Sequence, residues 1–184
     1  MPKNSLSKTI AYFVGVSISC LALSLPARSQ NLPACPNKPG VYVIQAGHWT
    51  ELQMAKARAV KLRARLPFHD KVTAIYAGGS ALAALTADSV LCASGVPLGG
   101  VFSLARAKVS KKDRQVGIGN ETAFTFAVDF EVDKNQAVPI VQSQSSDGIF
   151  SIHLSSLASG QYLLYLKQGT SFAAPPVAFD FYVP

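Results

Sequence analysis

The stretch Leu157-Ala158-Ser159-Gly160-Gln161-Tyr162-Leu163-Leu164-Tyr165-Leu166, LASGQYLLYL, decides the fold class. Its first six residues have the Leu-x-x-Gly-x-Tyr spacing at which sandwich proteins place a tyrosine corner. There the ring packs under a turn and the hydroxyl bonds backbone a few residues upstream, here around Ala158. The bland alternative is a core tyrosine after a glycine turn, with Gly160 supplying the sharp bend. From Gln161 to Leu166 the run is apolar without alternation. A half-buried strand alternates, so an unbroken apolar run belongs to a strand buried on both sides or central in its sheet.

Outward from this stretch the chain reads as strands. Val177 to Val183 sets Phe179, Phe181 and Val183 on one face. Val138 to Gln144 and Ile149 to Leu154 flank Ser145-Ser146-Asp147-Gly148, a hairpin signal. A two-residue Asp-Gly turn sets Ser145 against Phe150, which puts serines across from the core row. A three-residue loop with Gly148 left-handed sets Ile140 against Leu154, with Val138 beyond on the same face, so the three-residue loop is expected. Phe124 to Val132 alternates over nine residues, the cleanest period of two in the chain. Phe102 to Val109 and Arg114 to Ile118 read as two strands joined by Ser110-Lys111-Lys112-Asp113. Ser89 to Ala93 and Lys71 to Ala77 read as strands, and Gly40 to Leu52 as a hairpin turning at Ala46-Gly47. Residues 51–66 (ELQMAKARAVKLRARL) hold strong helix formers and fit neither apolar period, so a short helix ended by Pro67 is expected there. Ala81 to Leu85 reads as helix or strand. The sum is an all-β protein, an Ig-like antiparallel β-sandwich with a short helix near residues 51–66.

The N-terminus reads differently. Lys3 and Lys8 precede an uncharged apolar run from Ile10 to Leu25, and Ala27-Arg28-Ser29 follows Pro26. The run is shorter than the ~20 residues that span a bilayer. It reads as a secretory signal over residues 1–29, cleaved after Ser29, with no membrane span afterwards. Residues 30–39 then form an extended arm and residues 40–184 one sandwich domain. The chain has 184 residues, a formal charge of +7, 49% hydrophobic and 15% charged residues. That excludes a mainly disordered chain. Of three cysteines, Cys20 leaves with the signal, and Cys35 and Cys92 remain in an oxidising compartment, so a Cys35–Cys92 disulfide is expected.

Chemistry-bearing motifs are sparse. His48, His69 and His153 have no metal-ligand spacing, and no Gly-x-Ser-x-Gly elbow or phosphate loop is present, so no metal, cofactor or catalytic residue is assigned. Charge is the asymmetric feature. Residues 30–114 hold twelve basic and four acidic residues; residues 115–184 hold two basic and six acidic. Lys56, Arg58, Lys61, Arg63, Arg65 and Lys71 crowd one stretch, which either faces solvent or meets a polyanion. Phe172, midway along the connection from Lys167 to Pro176, is a second candidate contact, since loops carry binding residues. Nucleic acid is not an expected partner, because no aromatic residues interleave the basic run.

Three blocks carry a resemblance: Pro39 to Tyr42 followed by Trp49; Phe102 to Gly119; and Asp147 to Val183 with its DGIFSIHL, LASGQY and AFDFYV segments. On these the chain resembles a group of uncharacterised exported bacterial β-rich proteins. The resemblance implies a β-rich exported domain and no activity. The expected function is therefore a non-catalytic module, periplasmic or extracellular, that binds or scaffolds in the cell envelope, meeting an envelope polyanion or an envelope protein. A small periplasmic hydrolase or an enzyme inhibitor is the alternative.

Overall fold

The computed structural model describes residues 33–63, 70–97, 99–121, 128–167 and 177–184. Among these residues it is all-β, with fifteen strands and no helix. The strands are β1 (Gly40–Gln45), β2 (His48–Glu51), β3 (Met54–Lys56), β4 (Ala59–Arg63), β5 (Asp70–Ala77), β6 (Val90–Ser94), β7 (Val101–Arg106) and β8 (Lys108–Val109). They continue with β9 (Asp113–Glu121), β10 (Val128–Phe130), β11 (Ala137–Val138), β12 (Val141–Gln144), β13 (Phe150–His153), β14 (Gly160–Lys167) and β15 (Val177–Val183). They form three antiparallel sheets. The first has the order β12-β13-β6-β1-β2, the second β11-β7-β14-β15-β3, and the third β10-β9-β5-β4 with β8 beside β9.

The second sheet is the middle layer, and β14 shows why. Tyr162 and Leu164 enter one core, with Val41, Leu91, Phe150 and Ile152 of the first sheet. Leu163 and Tyr165 enter a second core, with Val72, Ala74, Tyr76 and Val116 of the third sheet. Consecutive residues of a strand point to opposite faces, so QYLLYL needs a sheet on each side. Each large side chain so buried contributes roughly 1.5–3 kcal/mol of transfer free energy. β15 pairs along β14, with Tyr162 opposite Phe181 and their rings stacked at 5.5 Å. The sandwich is thus stacked from three sheets, where an Ig-like plan has two.

The tyrosine corner is present. Tyr162 is 2% exposed, Leu157 is buried in the same core, and the Tyr162 hydroxyl donates to the Ala158 carbonyl at 2.5 Å. The β12–β13 hairpin has the three-residue loop: Val141 faces His153 and Gln144 faces Phe150, a register in which Ile140 continues toward Leu154. Gly148 has φ +82°, and its N–H donates to the Ser145 carbonyl at 3.0 Å, closing the turn. The first hairpin turns at Ala46-Gly47 as expected, with both residues at positive φ.

Four expectations are corrected. The helix over residues 51–66 is replaced by β3 and β4, with residues 64–66 outside the described set. Helix propensity differs by only tenths of a kcal/mol per residue, and the segment gains a full ladder instead, with residues 59–63 paired along β5 and 54–56 along β15. Strand pairing therefore outweighs propensity. The run from Phe102 to Val109 is two strands, because the chain crosses at Ala107 from the second sheet to the third. The run from Val138 to Gln144 also divides: Val138 pairs with Leu104 in the second sheet, while Val141 begins the edge of the first. Pro139 lies at that division and lacks the N–H a ladder needs. Ala81 to Leu85 is irregular and makes one parallel bridge, Ala84 to Tyr182. The start of the alternating run, Phe124 to Ala127, and the cleavage point after Ser29 lie outside the described residues.

Candidate functional site

The basic stretch is divided between two sheets. Lys56 ends β3 on the edge of the middle sheet and is exposed. Arg58 sits in the crossover, where its Nη2 contacts Asp113 Oδ2 at 2.7 Å with about half the side chain in water. An exposed pair of this kind contributes about 0–1 kcal/mol, and it takes Arg58 out of the free basic surface. Lys61 and Arg63 belong to β4. Arg65 and Phe172 lie outside the described residues.

The ladder shows which residues share a face. Val72 and Ala74 of β5 point into the second core, so the alternate positions Lys71, Thr73 and Ile75 lie on the other, outer face of the third sheet, which is covered at Ile75, itself only 3% exposed. Their β4 partners are Arg63, Lys61 and Ala59. Across β9, Ile75 is opposite Gln115 and Lys71 opposite Asn120. Gln115 in turn pairs with Lys108 of β8, and Asn120 with Asp129 of β10. The outer face therefore gathers the register positions of Lys61, Arg63, Lys71 and Lys108 with two acidic positions, Asp129 and Asp113, the latter opposite Ala77 and paired with Arg58. Of these, Lys61 and Lys108 are exposed side chains. Sequence reading finds Lys61, Arg63 and Lys71 but not Lys108, which is 47 positions beyond Lys61. Only the β8–β9 and β5–β9 pairings bring it there.

The N-terminal arm closes over the opposite side of the molecule. Cys35 and Cys92 form the expected disulfide, with S–S 2.09 Å and Cα atoms 6.1 Å apart. The Lys38 carbonyl accepts from Tyr42 Oη at 2.8 Å and from Ser94 Oγ at 2.5 Å. Pro33 accepts from Trp49 Nε1 at 3.0 Å, and Lys38 Nζ meets Glu51 Oε2 at 2.9 Å. The hydrogen bond and charge of Glu51 raise the Lys38 pKa above its ordinary value. Gly95 lets the arm approach: it has φ +69°, and a Cβ there would lie 2.6 Å from Pro39 Cβ.

A cleft of about 340 Å³ opens near Gln45, Thr50, Glu51, Gln53 and Leu82, with Asp180 also on its wall. Its two carboxylates are engaged, Glu51 with Lys38 and Asp180 with Arg114. No histidine or cysteine lines it. His153 Nε2 lies 3.3 Å from Ser151 Oγ on the first sheet, away from this cleft. Among the described residues, no group of three or more His, Cys, Asp and Glu side chains is placed to hold a metal ion.

The strongest polar constellation is structural, and the sequence reading does not single it out. Arg114 is 4% exposed and Asp180 8%. Arg114 Nη1 donates to Asp180 Oδ2 at 2.5 Å, Nε to the Gly78 carbonyl and Nη2 to the Ala77 carbonyl, both at 3.1 Å. These bonds tie β9 of the third sheet to β15 of the second. A charge buried between layers requires such pairing. Its trace in the sequence is an acid inside the otherwise apolar AFDFYV run. Two glutamines do similar work. Gln136 bonds the Arg106 and Gln115 carbonyls and the Gly117 N–H; Gln142 bonds both the N–H and the carbonyl of Phe102. No family model, curated protein or solved structure matches this chain.

Proposed function

We propose that the protein is a non-catalytic, exported binding module of the cell envelope, and that the outer face of its third sheet takes an acidic polymer. One observation carries this reading: strand register brings Lys61, Arg63, Lys71 and Lys108 to one face against two acidic positions, Asp129 and Asp113, of which Asp113 is already paired with Arg58. Such a face attracts polyanions over a range set by salt, about 10 Å at 0.1 M ionic strength. Export is supported by the apolar segment between Lys8 and Ala27 and by the disulfide, since disulfides persist in oxidising compartments. The partner class follows from the same chemistry: an acidic envelope glycan, recognised by repeated charge.

Binding of the oxidised chain to immobilised dextran sulfate tests the reading. Affinity should fall steeply with added salt. Lys61→Ala combined with Lys108→Ala should weaken it roughly two- to thirtyfold, from about 0.2–1 kcal/mol for each exposed charge removed. Lys134→Ala, in the exposed turn before β11, should leave it unchanged. Binding that ignores salt, or that Lys134→Ala weakens as much as the double substitution, would reject this face as the site.

A further inference from the structure

A sheet edge carries a row of unpaired backbone groups, and proteins usually blunt such rows with charge, proline or shortness. The edges of this molecule differ in that respect. β2 carries His48 and Glu51, β3 carries Lys56, β4 carries Lys61 and Arg63, and β10 carries Asp129. β11 is two residues long and is followed by Pro139. β12, Val141-Gln142-Ser143-Gln144, ends the first sheet with four residues, no charge and no proline. Val141 on it is 66% exposed.

The hairpin fixes which backbone groups of β12 are free. The Ser145 N–H donates to the Ile149 carbonyl at 2.9 Å, so Ser145 and Ile149 form a hydrogen-bonded pair. Antiparallel ladders alternate bonded and non-bonded pairs. Ser143, opposite Ser151, therefore bonds inward to β13, while the backbones of Gln142 and Gln144 point to the open edge. Two copies can meet there in one register that pairs both open residues twice. With Ser143 opposite its own copy on a two-fold axis, Gln142 faces Gln144 of the second copy and Gln144 faces Gln142. That register makes four backbone hydrogen bonds. At the charged edges a copy meets its own like charges. The whole chain is basic, at +7, so an uncharged strand is where self-association costs least electrostatically.

We propose that two copies of this protein pair through β12, antiparallel about a two-fold axis at Ser143, joining their first sheets into one continuous sheet. The contact is isologous, so it closes at two and does not propagate. A four-residue edge buries far less than the roughly 1,200–2,000 Å² of a standard stable interface, so the dimer is a concentration-dependent one. This site is separate from the basic face, and its failure leaves the polyanion reading standing.

Sedimentation of the oxidised full chain across about 10 µM to 1 mM, the range of weak complexes, should show mass rising from monomer toward dimer. Ser143→Lys places two ammonium groups across the axis and should hold the chain monomeric throughout, with its melting temperature checked separately. Ser143→Cys should cross-link spontaneously into a covalent dimer. Val141→Cys should not, because its two copies stand about 13 Å apart, four residues of strand. A wild-type chain that stays monomeric over the whole range overturns the proposal. So does a dimer that survives Ser143→Lys, or cross-linking at Val141 in preference to Ser143.

Discussion

Tyr162 is legible from local spacing, and local geometry explains why. Its hydroxyl reaches Ala158, four residues upstream, so both ends of the bond lie within one short segment. Burial raises the phenol's pKa, with Arg106 acting weakly the other way, and the ring keeps its proton at neutral pH. Tyr162→Phe should destabilise the fold by roughly 0.5–1.5 kcal/mol, the net value of one hydrogen bond, because the freed Ala158 carbonyl sits in an exposed turn and recovers water. Urea unfolding measures this; a loss above about 3 kcal/mol would mean the hydroxyl does more than cap the corner. Gly160 shows the limit of local reading. The spacing predicts a sharp bend there, but Gly160 begins β14 without positive φ. A Cβ there would lie 2.9 Å from Arg106 Nε, and Arg106 Nη2 donates to the Ser159 carbonyl at 2.6 Å. The glycine makes room for a guanidinium 54 positions away, which no spacing within the segment announces.

Among the elements, the β12–β13 hairpin is legible because side-chain parity allows one register and one loop length. Gly148 is the residue that loop depends on. It stands at φ +82°, and a methyl group added there would meet nothing within 4 Å, so space is no obstacle and conformation is the whole cost. Gly148→Ala should destabilise by about 1–2 kcal/mol, and Gly148→Asn by less, since Asn tolerates the left-handed region. Chemical denaturation of the two variants checks the order, and equal losses would show that the turn is not limited by backbone strain. Asp147 beside it is bonded by the Ser145 hydroxyl, which holds its carboxyl below the ordinary range. The elements that sequence reading misassigns share one cause. Residues 54–63 have helix formers, yet they become β3 and β4 because two different sheets each need an edge strand. The crossings at Ala107 and at Pro139-Ile140 are hidden for the same reason, since an apolar run looks alike whether it stays in one sheet or changes layers. The basic face suffers likewise: Lys61 is visible as part of a charge run, whereas Lys108, three strands away, is brought to the same face only by long-range pairing.

For the whole molecule, three stacked sheets mean two cores of different character. The first is almost purely apolar. The second, between the middle and third sheets, holds Tyr76 and Tyr165 together with the Arg114–Asp180 pair. QYLLYL foretells a strand covered on both sides, but the third layer that covers it is assembled from residues 59 to 130 and is not visible in the sequence as a layer. The tyrosines give this second core a pH dependence of definite sign. Burial raises the pKa of Tyr76 well above its ordinary 10.0, and burial beside Tyr76 does the same for Tyr165. The folded chain therefore keeps both protons at pH values where the unfolded chain releases them. Their contribution is complete below about pH 10 and is lost as pH rises beyond it, because the unfolded state then binds fewer protons. Each tyrosine adds a slope of up to about 1.4 kcal/mol per pH unit once ionised in the unfolded chain alone. Urea unfolding of the oxidised protein between about pH 9 and pH 11 should show stability level at first and then falling, beyond the loss expected from lysine deprotonation. Tyr165→Phe lowers stability at neutral pH by removing a buried hydroxyl and its interactions, yet it should flatten the alkaline limb by about half, since one of two titrating groups is gone. An alkaline slope unchanged by Tyr165→Phe would show that this residue does not set the limit, and a curve level to pH 11 would show that neither tyrosine does.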